Sequence, residues 1–329
     1  MRQAQWMAKK YMDFLYPPIE PFDTGLLEVD KGVFIYWEVS GNPNGIPVLY
    51  LHGGPGSGLK TGYRRRYDPE KYLIISFEQR GCGRSLPLIT DSLDRIQEFN
   101  TSNFIADIEK LRQHLDISSW LVTGISWGTT LALAYAQAYP SRVQALVLAA
   151  INLATSAEVK WITEDMKVIF PEEWEVFQRA AQAMPDESLI DAYYRAILSK
   201  DAEVRFSAYK AWSRWESAHV SIDPMAMPNP SFEDEQFRAV FCTQVIHFWK
   251  HAAFLSETHI LENMSKLQGI PGVLIHGRLD VSSPVKTAWD LNKAWDAGRL
   301  IVIEDEGHGG PKIIGAFVDA VKELTPRFE

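Results

Sequence analysis

Cysteine is nearly absent from this chain. Of 329 residues only Cys82 and Cys242 are cysteines, too few for a disulfide framework or a thiolate metal site, so two free thiols in a reducing compartment are expected. Basic blocks are absent as well. With 33 Lys and Arg against 42 Asp and Glu the formal net charge is -9, which argues against nucleic acid and anionic membrane surfaces as partners and would suit a cationic substrate. Long hydrophobic runs are missing too. The most apolar stretches, 121–139 and 143–153, are broken by polar residues and glycine well before the ~18 apolar residues that a bilayer span needs. The N-terminal MRQAQWMAKKYMDFLYPP has neither an apolar h-region nor a small-residue cleavage site, so a cytoplasmic location is expected. No internal repeat or low-complexity tract occurs, which removes repeat architectures. No pattern in the sequence specifies an oligomeric state.

What is present is a chain of 46% apolar residues, about twice the usual single-domain length, hence two domains or one domain with an insertion. Short β-branched or aromatic runs at 26–29, 33–39, 48–52, 73–77, 120–123 and 145–149 read as strands separated by turns and helices. Phe104, Ile105, Ile108, Leu111 and Leu115 recur at helical spacing. A second helix is expected to start after Ser126 and to stop before Pro140. From 152 to 266 the pattern changes to helix formers with many large aromatics, among them Trp161, Phe170, Trp174, Phe177, Trp212, Trp215, Phe248 and Trp249. Strand patterns resume at 272–276 and 300–304, and 312–324 reads as a closing helix. The simplest organisation is one α/β domain from 1–151 and 267–329 around a mostly parallel sheet, with a helical cap inserted at 152–266.

Gly124-Ile125-Ser126-Trp127-Gly128 fits G-x-S-x-G between a predicted strand and a predicted helix, the sharp turn that lifts a serine hydroxyl above a sheet edge. A serine hydroxyl needs a neutral imidazole to take its proton and a carboxylate to orient that imidazole. In this kind of sheet the partners follow in the order Ser, acid, His. Asp280 after the strand ending at His276, and His308 in Glu306-Gly307-His308-Gly309-Gly310, fit those places; His276 precedes the acid and His114 belongs to a surface helix. In His52-Gly53-Gly54-Pro55-Gly56-Ser57-Gly58 the N–H of Gly54 can pair with that of Trp127 to hold an oxyanion. Neither this loop nor Glu78-Gln79-Arg80-Gly81-Cys82-Gly83-Arg84-Ser85 has a phosphate-binding spacing. The second reads as a folded loop supporting the site, with Cys82 structural. His247 and His251 stand four apart, but Phe248 occupies the place of the metalloprotease glutamate, so no metal and no cofactor is expected.

Together, HGGPGSG, QRGCGRS, NTS before DIEKLRQHL, GISWGTTLALAYAQAYP, the W-x-x-W-E segment, GRLD and GHG resemble the proline iminopeptidase family of α/β-hydrolases over nearly the whole chain after about residue 25. The resemblance implies an α/β-hydrolase fold with a helical cap and cleavage of an N-terminal residue from a small peptide or amide. It implies Ser126 as nucleophile, Asp280 as acid and His308 as base, and it suggests Glu216 as the cap carboxylate that meets the substrate's free amine. An ammonium leaves water only where a carboxylate receives it. Trp215, Trp249 and Asn152 fall among the substrate-binding positions. Val245 stands where the family carries a second acid, with Gln244 the polar neighbour; Asn152 and Ile162 replace expected aromatics, and Glu78 replaces an Asp. These departures leave open an amidase or esterase without proline or free-amine selectivity. A neutral His308 as base implies activity climbing with pH through roughly 6 to 7.

Overall fold

The computed structural model describes residues 14–220, 222 and 229–325. The segment read for a secretion signal lies, as far as residue 13, outside the described residues. Eight strands, β1 (Asp23–Asp30), β2 (Val33–Gly41), β3 (Ile46–Leu51), β4 (Tyr72–Phe77), β5 (Trp120–Ile125), β6 (Val143–Ala149), β7 (Gly272–Gly277) and β8 (Gly298–Ile303), form one sheet. Their order is β1-β2-β4-β3-β5-β6-β7-β8. β1 and β4 both pair antiparallel with β2, and from β4 to β8 every pair is parallel. Every strand read from the sequence is present, with only the end residues His52 and Glu304 falling outside it.

Alternation along the central strands divides the core in two. Val48, Tyr50, Leu121 and Val147 face one layer, built on Ile313, Phe317, Ala320 and Val321 of the last helix. Leu49, Leu51, Val122, Leu146 and Leu148 face the other. There they meet α1 (Thr101–His114) and α2 (Trp127–Ala138). Asn100 caps α1, its side chain accepting from the Asn103 N–H at 2.9 Å, and the helix presents Phe104, Ile108 and Leu111 inward at the spacing seen in the sequence. Every residue of α2 except the last is buried, as a helix enclosed on all sides requires an apolar circumference. Pro140, which cannot continue it, follows directly.

Between β6 and β7 lie α3 (Ser156–Thr163), α4 (Pro171–Ala181), α5 (Leu189–Ile197), α6 (Ala202–His219), α7 (Glu235–Lys250) and α8 (His259–Glu262); α9 (Lys286–Ala294) and α10 (Pro311–Leu324) follow β7 and β8. The inserted helices have a core of their own. Phe177 stacks on Tyr193 at 4.5 Å and on Trp215 at 5.2 Å, and Trp212 packs edge-on to Tyr193 at 5.2 Å. Burying such a ring contributes roughly 4–6 kcal/mol of transfer free energy. Much of the aromatic surplus of residues 152–266 therefore holds these helices together. No helix among the described residues is long and apolar enough to cross a membrane.

Candidate active site

The site residues sit where parallel strands end. Ser126 follows β5, the 52–54 loop follows β3, Asn152 follows β6, Asp280 follows β7 and His308 follows β8, all at the carboxyl ends where an open α/β sheet leaves a crevice. Ser126 has φ 57° and ψ −127°, a sparsely populated conformation whose cost is of order 1–3 kcal/mol and which lifts the side chain off the strand axis. The turn is possible because its flanks carry no side chains. A Cβ on Gly124 would lie 2.3 Å from the Gly128 carbonyl oxygen, and one on Gly128 2.3 Å from that of Leu51. Gly128→Ala must therefore push α2 away from β3. We expect a loss of about 1–3 kcal/mol, read as a melting temperature lower by roughly 1.5–5 °C; an unchanged melting curve would contradict this packing account.

The structure brings Ser126, His308 and Asp280 into one hydrogen-bonded line. His308 Nε2 is 3.0 Å from Ser126 Oγ, and His308 Nδ1 is 2.8 Å from Asp280 Oδ2. Asp280 is buried, and its other oxygen accepts from the Ser283 N–H at 2.9 Å. Burial would raise the Asp280 pKa, but the charge and hydrogen bond of His308 hold it below the usual aspartate value. Burial likewise pushes His308 down, yet the Asp280 carboxylate and then the Glu216 charge outweigh it, so its pKa lies above the ordinary histidine value. A general base at this position loses its proton at higher pH than an ordinary histidine would.

His276 touches the same carboxylate differently. Its Nε2–H donates to the Ser283 carbonyl at 2.7 Å and its Nδ1 accepts from the Ile151 N–H at 3.0 Å, which fixes one neutral tautomer, and burial keeps its pKa low. The 52–54 loop closes on the serine from the other side, since a Cβ on Gly53 would lie 3.3 Å from that of Ser126. Trp127 opens α2, so its N–H has no acceptor within the helix and lies at the positive end of the helix dipole. The QRGCGRS loop braces this corner. Gln79 accepts from Trp127 Nε1 at 2.9 Å, donates through Nε2 to the His52 carbonyl at 3.0 Å and through its backbone N–H to His52 Nε2 at 3.1 Å. Cys82 is fully buried beside it and burial raises its thiol pKa well above the usual range, as a structural cysteine requires. Glu78 accepts from the Leu59 N–H at 3.1 Å and from Arg84 Nε at 3.0 Å.

Two cavities meet at the serine, one of about 730 Å³ and one of about 30 Å³, sharing Gly54, Ser126, Glu216, Val220 and His308. Glu216 is the acidic residue in both linings among the described residues, its carboxylate 3.5 Å from His219 Nε2. Asn152, Ile162 and Trp249 line the small cavity, as do Trp212, His219, Ser282 and Ser283, which sequence reading did not single out. A signal for two of them existed: Trp212, Glu216 and His219 fall at i, i+4 and i+7 on α6, one face of the helix. Trp215 and Val245 line neither cavity. Trp215 is buried in the cap core, donating to the Ile162 carbonyl at 3.2 Å. Val245 lies between Phe241 and Trp249 on one face of α7 but is itself 1% exposed within that core, and its apolar side chain offers the site no polar contact. Gln244 donates to the Arg80 carbonyl at 3.1 Å instead. His247 donates to the Phe99 carbonyl at 2.9 Å, and burial, with the neighbouring His251, lowers its pKa to about 4. Among the described residues no group of three or more His, Cys, Asp and Glu side chains could hold a metal ion.

Comparison with known proteins bears on the fold and the family. Residues 46–311 match the alpha/beta hydrolase fold family. A crystal structure of a proline iminopeptidase from Mycobacterium smegmatis superposes with a TM-score of 0.64 at 17% identity, covering 93% of this chain and 100% of that one. A bromoperoxidase from Bacillus anthracis reaches 0.63 at 18%, covering 92% and 99%, so at this distance the likeness carries the fold alone. Sequence relatives are nearer. A proline iminopeptidase of Arabidopsis thaliana is 41% identical over 89% of this chain and 77% of its own, and a probable proline iminopeptidase of Leptolyngbya boryana is 41% identical over 95% and 96%. The chain belongs to the proline iminopeptidase family of α/β-hydrolases.

Proposed function

We propose that this protein is a serine aminopeptidase that releases a small N-terminal residue, proline or one of similar bulk, from short peptides through an acyl-enzyme. The reading rests above all on one observation: the Ser126–His308–Asp280 line opens at the junction of two cavities whose shared acid is Glu216. Ser126 Oγ attacks the first peptide carbonyl while His308 Nε2 takes its proton, and Asp280 holds the imidazole in the tautomer that can do so. The N–H groups of Gly54 and Trp127 stabilise the oxyanion. His308 then gives the proton to the departing amine, and a water molecule, deprotonated by the same imidazole, returns the acyl group to solution and the proton to Ser126.

Each cavity has its half of the substrate. The small one has room for about two or three water-sized groups, the scale of proline's ring methylenes or a smaller side chain; Ile162, Trp212 and Trp249 give it apolar walls beside the polar Asn152, His219, Ser282 and Ser283. The large one takes the leaving fragment. Glu216, shared by both, receives the ammonium, and the two free buried thiols fit action in the cytoplasm.

The test is a panel of prolyl and alanyl arylamides, their N-acylated forms and simple esters. Free-amine arylamides should be cleaved and their N-acylated forms at least about a hundredfold more slowly. If N-acylation leaves turnover unchanged, the second reading, an amidase or esterase indifferent to the amine, replaces the first; Val245 in place of an acid is the observation in its favour.

A further inference from the structure

The large cavity has a second charged wall, which amine recognition does not use. A 3₁₀ turn, Thr61–Arg66, follows Lys60. Its three-residue period stacks Lys60, Tyr63 and Arg66 along one side, and all three line the cavity.

The consecutive arginines of this turn differ in what holds them. Arg64 is bound to the buried Glu38 through Nε at 3.0 Å and Nη2 at 2.7 Å. Arg65 donates from Nε to the Tyr16 carbonyl at 2.8 Å. Arg66 has neither. Its guanidinium lies 5.3 Å from the ring centre of Tyr50 and 5.8 Å from that of Phe317, and its Nη1 is buried without a hydrogen-bond partner. No carboxylate among the described residues pairs with it. Among the described residues Lys60 reaches only Asn229 Oδ1, at 3.4 Å.

Leaving a guanidinium N–H buried and unpaired is costly, and two aromatic faces fix the orientation of the fork without satisfying its donors. Nη1 itself is closed to a ligand, but the part of Arg66 that lines the cavity has no acceptor among the described residues and would meet an anion entering there. The described lining supplies one acid, Glu216, which the reaction assigns to the amine, so the anion has to arrive with the substrate. A peptide attacked at its first bond directs its remaining residues into this cavity, and a short peptide ends there in a carboxylate. We propose that Arg66, with Lys60 at the rim, binds the C-terminal carboxylate of the substrate, so that the preferred substrates are free peptides of two to four residues. This rests on the aminopeptidase reading for the direction in which the substrate lies.

The experiment compares kcat/KM for Pro-Gly, Pro-Gly-Gly and Pro-Gly-Gly-Gly with their C-terminal carboxamides. The result is read as the carboxylate-to-carboxamide ratio within each protein, with a prolyl arylamide as reference for folding. At the length that spans from Ser126 to Arg66 the wild type should favour the carboxylate about tenfold or more. Arg66→Gln should bring the ratio close to one, and Arg66→Lys should keep part of it. A ratio near one at every length in the wild type, or a preference that survives Arg66→Gln, overturns the proposal. Binding separates the two readings: Ser126→Ala protein should bind glycylglycine more tightly than glycylglycinamide, and the difference should vanish when Arg66→Gln is added. If N-acylated arylamides are cleaved freely while that difference persists, the amine reading fails and the carboxylate site stands; if they are rejected and the difference is absent, the reverse holds.

Discussion

Ser126→Ala is expected to lower kcat by about four to six orders of magnitude while leaving the melting temperature within about 2 °C of wild type. The two halves of this result have separate causes. Turnover falls because the acyl-enzyme can no longer form and His308 has no hydroxyl to deprotonate, so that what remains is the effect of binding and oxyanion stabilisation on attack by water. Stability holds because Ser126 Oγ bonds to His308 and caps nothing: no side-chain hydrogen bond from it closes the start of α2. Alanine, like serine, accepts the strained backbone only because the packing of Gly124 and Gly128 enforces it, so the exchange adds no new strain. Labelling by a fluorophosphonate should disappear in parallel. Retention of more than about one per cent of wild-type turnover, or of labelling, would sink the nucleophile assignment.

The serine was legible in the sequence because everything that makes it special is local: a strand, a five-residue turn and a helix, adjacent along the chain. Asp280 and His308 were legible for a related reason. Chain order and the strands that precede them fix where they must lie, and parallel strands return every loop to the same sheet edge. Trp215 and Val245 were not placed correctly by similarity alone, since nearness in sequence to a site residue does not say which way a helix face turns. On α6, Trp215 is next to Glu216 in the chain but about 100° around the helix from it, and it meets Phe170 and Phe177 in the cap core. Trp212 and His219, four and three residues from Glu216 in the chain, share its face and reach the cavity. Arg66 was invisible for another reason. In sequence it is one of three identical residues, and only the partners of Arg64 and Arg65 set it apart.

Glu216→Gln is the second large effect, and its signature lies in selectivity and pH rather than in loss alone. Glutamine keeps the size and an acceptor oxygen but not the charge, so kcat/KM for free-amine substrates should fall by about a hundredfold, mostly through KM, whereas N-acylated substrates should be cleaved no worse than by wild type. The acid limb supplies an independent check. His308 must be neutral to act, so kcat/KM rises with pH through its free-enzyme pKa, which lies above the ordinary histidine value partly because the Glu216 charge favours the imidazolium. Removing that charge lowers the pKa and moves the acid limb to lower pH. The alkaline side moves the other way in meaning: in wild type, activity should decline as the substrate's ammonium loses its proton and with it the attraction to Glu216, and this decline should flatten in Glu216→Gln. A variant with reduced activity but unchanged limbs would mean that the Glu216 charge acts on neither His308 nor the substrate's ammonium, and the amine-anchor assignment would fall.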